Sequence, residues 1–350
     1  MSIRDLARAL DISIGTVSRA LNDRADVNPE TRRRVLEAAA AMGYAPNQSG
    51  RSLRQGTTNA VAFMIPNDHD VAALGNSFFM SVSDGLQPVL MEAGLDLFVL
   101  LCPSEMDKNA FLRRVVERRI ADGVIISSIE RQDSRIDYLV GRNVPFVALG
   151  RSLSGGAHAW VDLDFEGVIA QSVSRLARLG HRRIAFSSAG GRINFSFIFA
   201  EAYRRALEAE GLSFDPALMI REDGTEEGGY RLGDRLLAMP EPPGAVILAD
   251  ETMAIGLYRR LYEAGLTPGR DLAVIGFRDS PHCRFLSPPL TCFRLSLHDL
   301  GRRLGEIMLE RLKGGGGADR PPQEIWPMEL VAGESDGRPS HRLRPPAASA

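Results

Sequence analysis

IRDLARALDISIGTVSRALN, residues Ile3–Asn22, carries two helical patterns separated by a break. Ile3, Leu6, Ala7 and Leu10 recur at helical spacing and form one apolar face. Asp11-Ile12-Ser13 interrupts the pattern, and Ser13 suits the N-cap of a second helix from Ile14 to about Leu21. There Val17, Ala20 and Leu21 point inward. Thr16, Ser18 and Arg19 are left outside, two hydroxyls and a guanidinium suited to phosphates and base edges. This is a helix-turn-helix pattern, although a helical hairpin in a core would share its spacing. Asn28-Pro-Glu-Thr31 then reads as a helix start with Pro29 in the first turn. The third helix, Thr31–Met42, sets Val35, Leu36, Ala39 and Met42 on one face, with Arg32, Arg33 and Arg34 near its beginning, and Gly43 ends it.

Charge divides the chain in the same place. Residues 1–56 hold nine arginines against six acids, a net of +3, while the whole chain carries −2, so the remainder carries −5. A basic head on an acidic body directs the head to phosphate and keeps the body off nucleic acid. Lysine occurs only at Lys108 and Lys313, a bias of genome composition more than of function. The length of 350 residues leaves ample chain beyond the head for a large core. No apolar run is long enough to span a bilayer. The first helix begins at once, so no export signal is expected, which implies a cytoplasmic protein. Cys102, Cys283 and Cys292 form no CxxC pair and read as buried or incidental thiols in a reducing compartment.

Catalytic motifs are missing: no GxSxG, HExxH, GxxxxGK[ST], or GxGxxG after a strand. His69, His158, His181, His282, His298 and His341 show no metal-ligand pairing, so neither an enzyme, a cofactor nor a metal is expected. His181 falls where a helix ends, a position that suits a partly cationic side chain. Gly314–Gly317 reads as a flexible loop.

From Thr58 onward short apolar strands alternate with helices. The series runs Ala60–Ile65, Phe79–Ala93, Leu95–Leu101, Asn109–Arg119, Gly123–Ser127, Ile136–Gly141 and Pro145–Leu149. It restarts at Ala159–Asp162 and proceeds through Glu166–Leu179, Arg183–Ser187, Phe199–Glu210, Tyr230–Ala238, Ala245–Leu248 and Thr252–Ala264 to Leu272–Gly276. Such strands imply parallel sheets covered on both faces, and two series imply two doubly wound lobes. Ligands in that architecture sit beyond the carboxyl ends of the strands, here in a cleft between lobes.

The segments DLARALDIS, TVSRALN, VNPETRRRVLEAA, MGYAPN and RSLRQG, in this order and spacing, resemble the headpiece of the lactose-repressor (LacI/GalR) family of transcription regulators. The resemblance continues to Glu334 through RRIADGVII, LGR, LGHRRIA and DETMAIG. It implies an all-α helix-turn-helix headpiece (residues 1–46), a hinge helix (47–57) and a two-lobed periplasmic-binding-protein-like core of doubly wound parallel sheets (58–335). The chain would cross between lobes near residues 158, 290 and 320, placing 58–157 and 291–319 in the first lobe and 158–290 and 320–335 in the second. The tail, 336–350, is Pro- and Arg-rich without a heptad and is expected to be disordered, with no coiled-coil tetramer.

The same resemblance implies residue roles. Ile14, Gly15 and Arg19 take the base-reading positions, while Ser13, Thr16, Ser18 and Asn22 take phosphate or positioning contacts. Ile3, Arg4, Asn28, Thr31 and Asn47 complete the DNA-binding set. In the hinge, Leu53 would wedge into the minor groove between Arg51 and Arg54, the cost of unstacking being offset by closer contact. Gly50 departs from the family and weakens a helix there by roughly 1 kcal/mol relative to Ala. Ligand positions are Asp68, Phe78, Phe79, Ser127 (or Ser128) and Arg151 in the first lobe, with Asn194, Phe199, Asp250 and Arg278 in the second; core packing is the alternative for at least one of Phe78 and Phe79. Phe199 stands where many members have Arg, Asp250 where Asn is usual, and Arg278 where Asp is usual, so no specific sugar carries over. Arg278 either meets the ligand or pairs with Asp250. The implied function is a homodimeric repressor of a carbohydrate-use operon that binds near-palindromic operator DNA under control of a small effector, a sugar or sugar derivative. A co-ligand-dependent repressor or activator answering a non-sugar metabolite is the alternative. A transporter's solute-binding protein would share the body but lack the head.

Overall fold

The computed structural model describes residues 2–21, 24, 26–44, 57–66, 75–188, 191–314 and 320–339. The chain divides into two compact units, Met1–Thr58 and Asn59–Ala350. In the first, α1 (Ile3–Leu10) opens on a capping box between Ser2 and Asp5 and closes on Asp11 in the left-handed region. Helix α2 (Ile14–Leu21) starts where the Ser13 hydroxyl accepts from the Thr16 N–H at 3.0 Å. Helix α3 (Pro29–Ala41) begins two residues earlier than expected, because the Asn28 side chain accepts from the Glu30 N–H and Pro29 fits the first turn. Leu6, Ala7, Val17, Ala20, Val27, Val35 and Ala39 make the core. Leu36, expected on the inner face, is 49% exposed instead, since the buried stripe of α3 is narrower than its apolar residues allow. Residues 45–56, including most of the expected hinge helix, lie outside the described residues.

The second unit holds two six-stranded sheets. Chain order in the first is β1 (Ala60–Pro66), α4 (Gly75–Glu92), β2 (Asp96–Cys102), α5 (Lys108–Glu117), β3 (Gly123–Ile126), α6 (Ser134–Gly141), β4 (Phe146–Leu149) and β5 (Trp160–Leu163). The second lobe continues with α7 (Phe165–Leu179), β6 (Ile184–Ser188), α8 (Asn194–Ala209), β7 (Met219–Arg221), α9 (Glu226–Leu237), β8 (Ala245–Leu248), α10 (Met253–Glu263), β9 (Ala273–Arg278), α11 (Pro281–Phe285) and β10 (Thr291–Arg294). Then come α12 (Leu297–Leu312), β11 (Gln323–Trp326) and β12 (Glu329–Val331). The strand orders are β11-β5-β4-β3-β1-β2 and β12-β10-β9-β8-β6-β7. The first sheet is parallel throughout; the second ends on β12, antiparallel to β10, where an all-parallel sheet was expected. The apolar strands β3, β4 and β8 are buried along their whole length, as helices on both faces require.

Strand pairing moves all three crossings from their expected places. β5 pairs with β4 and β11, so the first crossing follows Leu163 rather than residue 158. β10 pairs with β9, so the second follows Arg294 rather than 290, and the third lies between Trp326 and Glu329 rather than near 320. Each shift has one cause: a short strand next to the crossing joins the sheet it leaves before the chain passes over.

Helices α4 and α12 cross at near backbone contact. A Cβ on Gly85 would stand 1.9 Å from the His298 carbonyl oxygen, and one on Gly301 would stand 1.9 Å from that of Val82. The chain after β12 is also part of the second lobe. The Ser335 hydroxyl donates to Val274 O and accepts from Thr291 N at 2.6 and 2.8 Å, and Asp336 accepts from the Thr291 hydroxyl at 2.6 Å. Asp336, expected in a disordered tail, is therefore ordered, because buried polar groups of β9 and β10 take hydrogen bonds from this segment. Residues 340–350 lie outside the described residues. His181 is buried, with Nε2 2.8 Å from Gly337 O. Burial lowers its pKa, so it is held neutral rather than as the expected cation.

Candidate functional site

On the small unit, α2 presents Ile14, Gly15 and Arg19 to solvent, with Ile14 45% exposed. Thr16 and Ser18 are half-buried, and the hydroxyls of Ser13 and Thr16 lie 2.9 Å apart, tying the first turn of the helix to its cap. Arg19 reaches Asp26 at 3.8 Å with both side chains more than half exposed, a contact worth little in water and easily exchanged. Arg4 is exposed, Ile3 and Thr31 are half-buried, and the Asn28 amide oxygen is occupied as a cap. Arg33 lies between Glu30 and Glu37 at 2.6 and 2.9 Å, all three side chains more than half exposed, so these contacts too exchange readily with water or phosphate. Asn22, Asn47, Arg51, Leu53 and Arg54 lie outside the described residues.

In the large unit, Phe78, Phe79, Ser127, Arg151, Asn194, Phe199, Asp250 and Arg278 all border one cavity between the two sheets. Asp68 lies outside the described residues. The positions follow from topology. Ser127 follows β3, Arg151 follows β4, Asp250 follows β8 and Arg278 ends β9, so the carboxyl ends of parallel strands deliver them together. Both Phe78 and Phe79 are buried at 6% exposure; Phe79 packs on Phe63, and Phe78 carries the Arg278 guanidinium 5.3 Å above its ring. That cation–π contact spans the cleft.

Aromatic rings form much of the lining. Phe165 stacks on Phe277 at 5.5 Å, and Phe199 meets both edge-on at 4.9 and 5.4 Å. Phe165 and Phe277, with Asp162, Ile193 and Phe195, were not anticipated from the sequence. Phe165 and Asp162 flank a chain crossing whose position only strand pairing reveals. A periodicity argument reads Phe277 as strand core. Ser127 donates its hydroxyl to Met64 O at 3.0 Å, and Arg135, paired with Asp133, donates to the carbonyls of Ser127 and Ser128, fixing that loop.

Asp250, Glu251 and Arg278 form a buried charge cluster. Arg278 pairs with Glu251 at 2.8 Å, while Asp250 accepts from the Thr252 N–H at 2.8 Å. The carboxylate that ion-pairs with Arg278 is thus Glu251, and not Asp250, the partner weighed as the alternative to a ligand contact. Burial, then the adjacent Glu251, pushes the Asp250 pKa up to about 8. Burial raises Glu251 too, against the pull of Arg278. Both carboxyls are therefore displaced toward their protonated forms, with Arg278 opposing the shift at Glu251. On the other wall, Arg151 joins Asp162 at 2.7 Å and Glu166 at 2.8 Å, and burial lifts Asp162 to about 6.

The lobes meet around this cavity. The Asn194 backbone N–H donates to Ile129 O at 2.8 Å and its side-chain amide to Arg151 O at 2.7 Å. Arg192 pairs with Glu130 at 3.1 Å, and Arg131 lies 5.0 Å over Phe197. The enclosed space is about 90 Å³. Ligand pockets usually measure about 300–1,000 Å³, so a ligand larger than a few waters requires these contacts to part. A wall of neutral acid, amide and guanidinium around aromatic faces can bind hydroxyls and an apolar ring face together.

Comparison with known proteins agrees with both units. Residues 2–47 match the model of bacterial regulatory proteins of the lacI family, and residues 173–335 match a periplasmic binding protein-like domain. The chain is 35% identical over 343 residues to the HTH-type transcriptional regulator AglR of Rhizobium meliloti (strain 1021), covering 96% of this chain and 94% of that one. A solved complex of the transcriptional regulator CelR with cellobiose superposes with a TM-score of 0.72 at 26% identity, covering 96% of this chain and 99% of that one. The Lac repressor dimer bound to operator and the anti-inducer ONPF shares the fold, with a TM-score of 0.83 at 21% identity over 96% and 98% of the two chains. Headpiece, two-lobed core and full-length similarity together make this chain a member of the lacI family of DNA-binding transcriptional regulators, and not an enzyme.

Proposed function

We propose that the protein is a dimeric repressor of carbohydrate-use genes, working in the cytoplasm, whose hold on a near-palindromic operator is controlled by a sugar or sugar derivative in the cleft between its lobes. The observation that carries this reading is the convergence of side chains from both lobes on one aromatic-lined cavity with Arg151, Asn194, Asp250 and Arg278 at its edge. The relative CelR, solved with cellobiose, supports a sugar as the class of effector. Residues 1–46 would read DNA through Ile14, Gly15 and Arg19, 47–57 would order on the operator, and the lobes would move about the crossings after Leu163, Arg294 and Trp326. Dimerisation would bury exposed apolar side chains of the first lobe, Met80 and Met91 of α4 and Val99 and Leu101, which share one face of edge strand β2. The Lac repressor, a dimer on its operator, supports this arrangement.

The test is selection of bound fragments from the source genome, then gel retardation of the recovered site with a panel of mono- and disaccharides. The expected result is a near-palindrome upstream of transport or metabolic genes, released by one sugar. Retardation that appears only with a non-sugar metabolite would replace this reading with the co-ligand-dependent one. Enrichment that is diffuse and vanishes with moderate salt would mean phosphate attraction alone.

A further inference from the structure

Behind Arg278, three side chains converge that the cleft does not use. Cys283 on α11 and Cys292 on β10 are 2% and 1% exposed, and their sulfurs lie with a carboxylate oxygen of Asp279 all within 4.8 Å of one another. A tetrahedral site with metal–sulfur bonds of about 2.3 Å has edges of about 3.8 Å, so little contraction would bring the three atoms onto one ion. The Ser280 hydroxyl, 3.5 Å from the Cys283 sulfur, hydrogen-bonds with that sulfur from outside the cluster. Asp279 is already oriented: Arg284 and Arg294 each donate to its Oδ2 at 3.1 Å, as outer hydrogen bonds orient metal ligands. Those guanidiniums are 69% and 53% exposed, so solvent screens most of their repulsion of a cation.

We propose that Asp279, Cys283 and Cys292 form a structural site for a thiophilic divalent cation of the zinc class, which joins α11 to the end of β9. The donor set favours this over a simple disulfide pair. A disulfide needs two sulfurs and access for an oxidant, whereas here a carboxylate shares the cluster and both thiols are sealed. Three protein donors leave a fourth position on the ion, which a water would fill. The site would bear on the cleft through Cys283, whose sulfur lies 3.4 Å from the Arg278 carbonyl oxygen.

The experiment uses the full chain, reduced with a phosphine, stripped by a chelator and titrated with Co²⁺. Expected is a near-ultraviolet thiolate-to-cobalt band that saturates at one ion per protomer and is discharged by Zn²⁺. Cys283→Ser and Cys292→Ser should abolish it, Cys102→Ser should leave it unchanged, and Asp279→Asn should weaken binding at least tenfold, the lower end of what losing even an outer partner costs. Absence of the band in the wild type, or its survival in Cys292→Ser, overturns the proposal. Should the serine variants fail to fold by circular dichroism, the wild-type spectrum and Asp279→Asn decide. Peroxide that links Cys283 to Cys292 in a protein without cobalt affinity would make the pair a redox couple instead and equally overturn the site.

Discussion

Asp250 carries a proton that an unfolded aspartate would have lost. Its folded pKa of about 8 stands above the ordinary aspartate value of 3.8, so between those values the folded chain binds the extra proton and stability falls as pH rises. Asp250→Asn keeps an oxygen for the Thr252 N–H and removes the titration. The variant should therefore melt a few degrees above wild type at pH 8 and close to it at pH 4; parallel melting curves across that range would contradict the assignment. At the DNA end, Arg19→Ala should cost about 1–3 kcal/mol of discrimination at one base pair, measured by retardation with single-base operator variants. These two residues differ in how legible they were. Arg19 follows from helical offset alone, because Val17 and Ala20 fix the inner face. Glu251 did not, since nothing local to Asp250-Glu251 says which carboxylate turns toward a strand end almost thirty residues later.

Among elements, the crossing of α4 and α12 depends on hydrogen atoms at two positions. Gly301→Ala puts a methyl group onto the Val82 carbonyl, and separating the helices should cost about 1–3 kcal/mol, read as a lower melting temperature of the core. Gly141→Ala, at a helix end with open space around it, is the control and should be neutral or slightly stabilising. Most elements of the core were readable because their runs are continuous, apolar and too short for helices: Ala60–Ile65, Gly123–Ile126 and Ala245–Leu248 read as buried strands. β11 and β12 were not. Gln-Glu-Ile-Trp and Glu-Leu-Val are short edge strands, partly exposed, and only register with β5 and β10 gives them their sheets. The same limit displaced the three crossings, and with them the place of Asp162 and Phe165 in the cleft.

At the scale of the whole molecule, the exposed apolar residues of β2 and α4 make a prediction about the proposed dimer. Leu101 is 60% exposed on an edge strand, and Leu101→Asp should convert the dimer to a monomer in sedimentation velocity while leaving the circular dichroism unchanged. Operator affinity should fall with it, because a twofold site needs both headpieces. The two-unit plan itself was legible, since charge, punctuation and periodicity all change near residue 57. Which face meets a second copy was not, because an exposed Leu in a strand looks like a core Leu until the sheet order puts that strand at the edge. The interleaved sheets also set a timetable for synthesis. Each lobe takes its edge strand from the last part of the chain, β11 for one and β12 for the other, with Ser335 and Asp336 closing the second. At about 5–20 residues per second, the headpiece leaves the ribosome on the order of 15–60 s before either sheet can be completed. A nascent chain thus carries its headpiece long before the core that would pair it with a second copy is complete, and a ribosome that stalls before Gln323 leaves behind a lone headpiece, half of what a twofold operator requires.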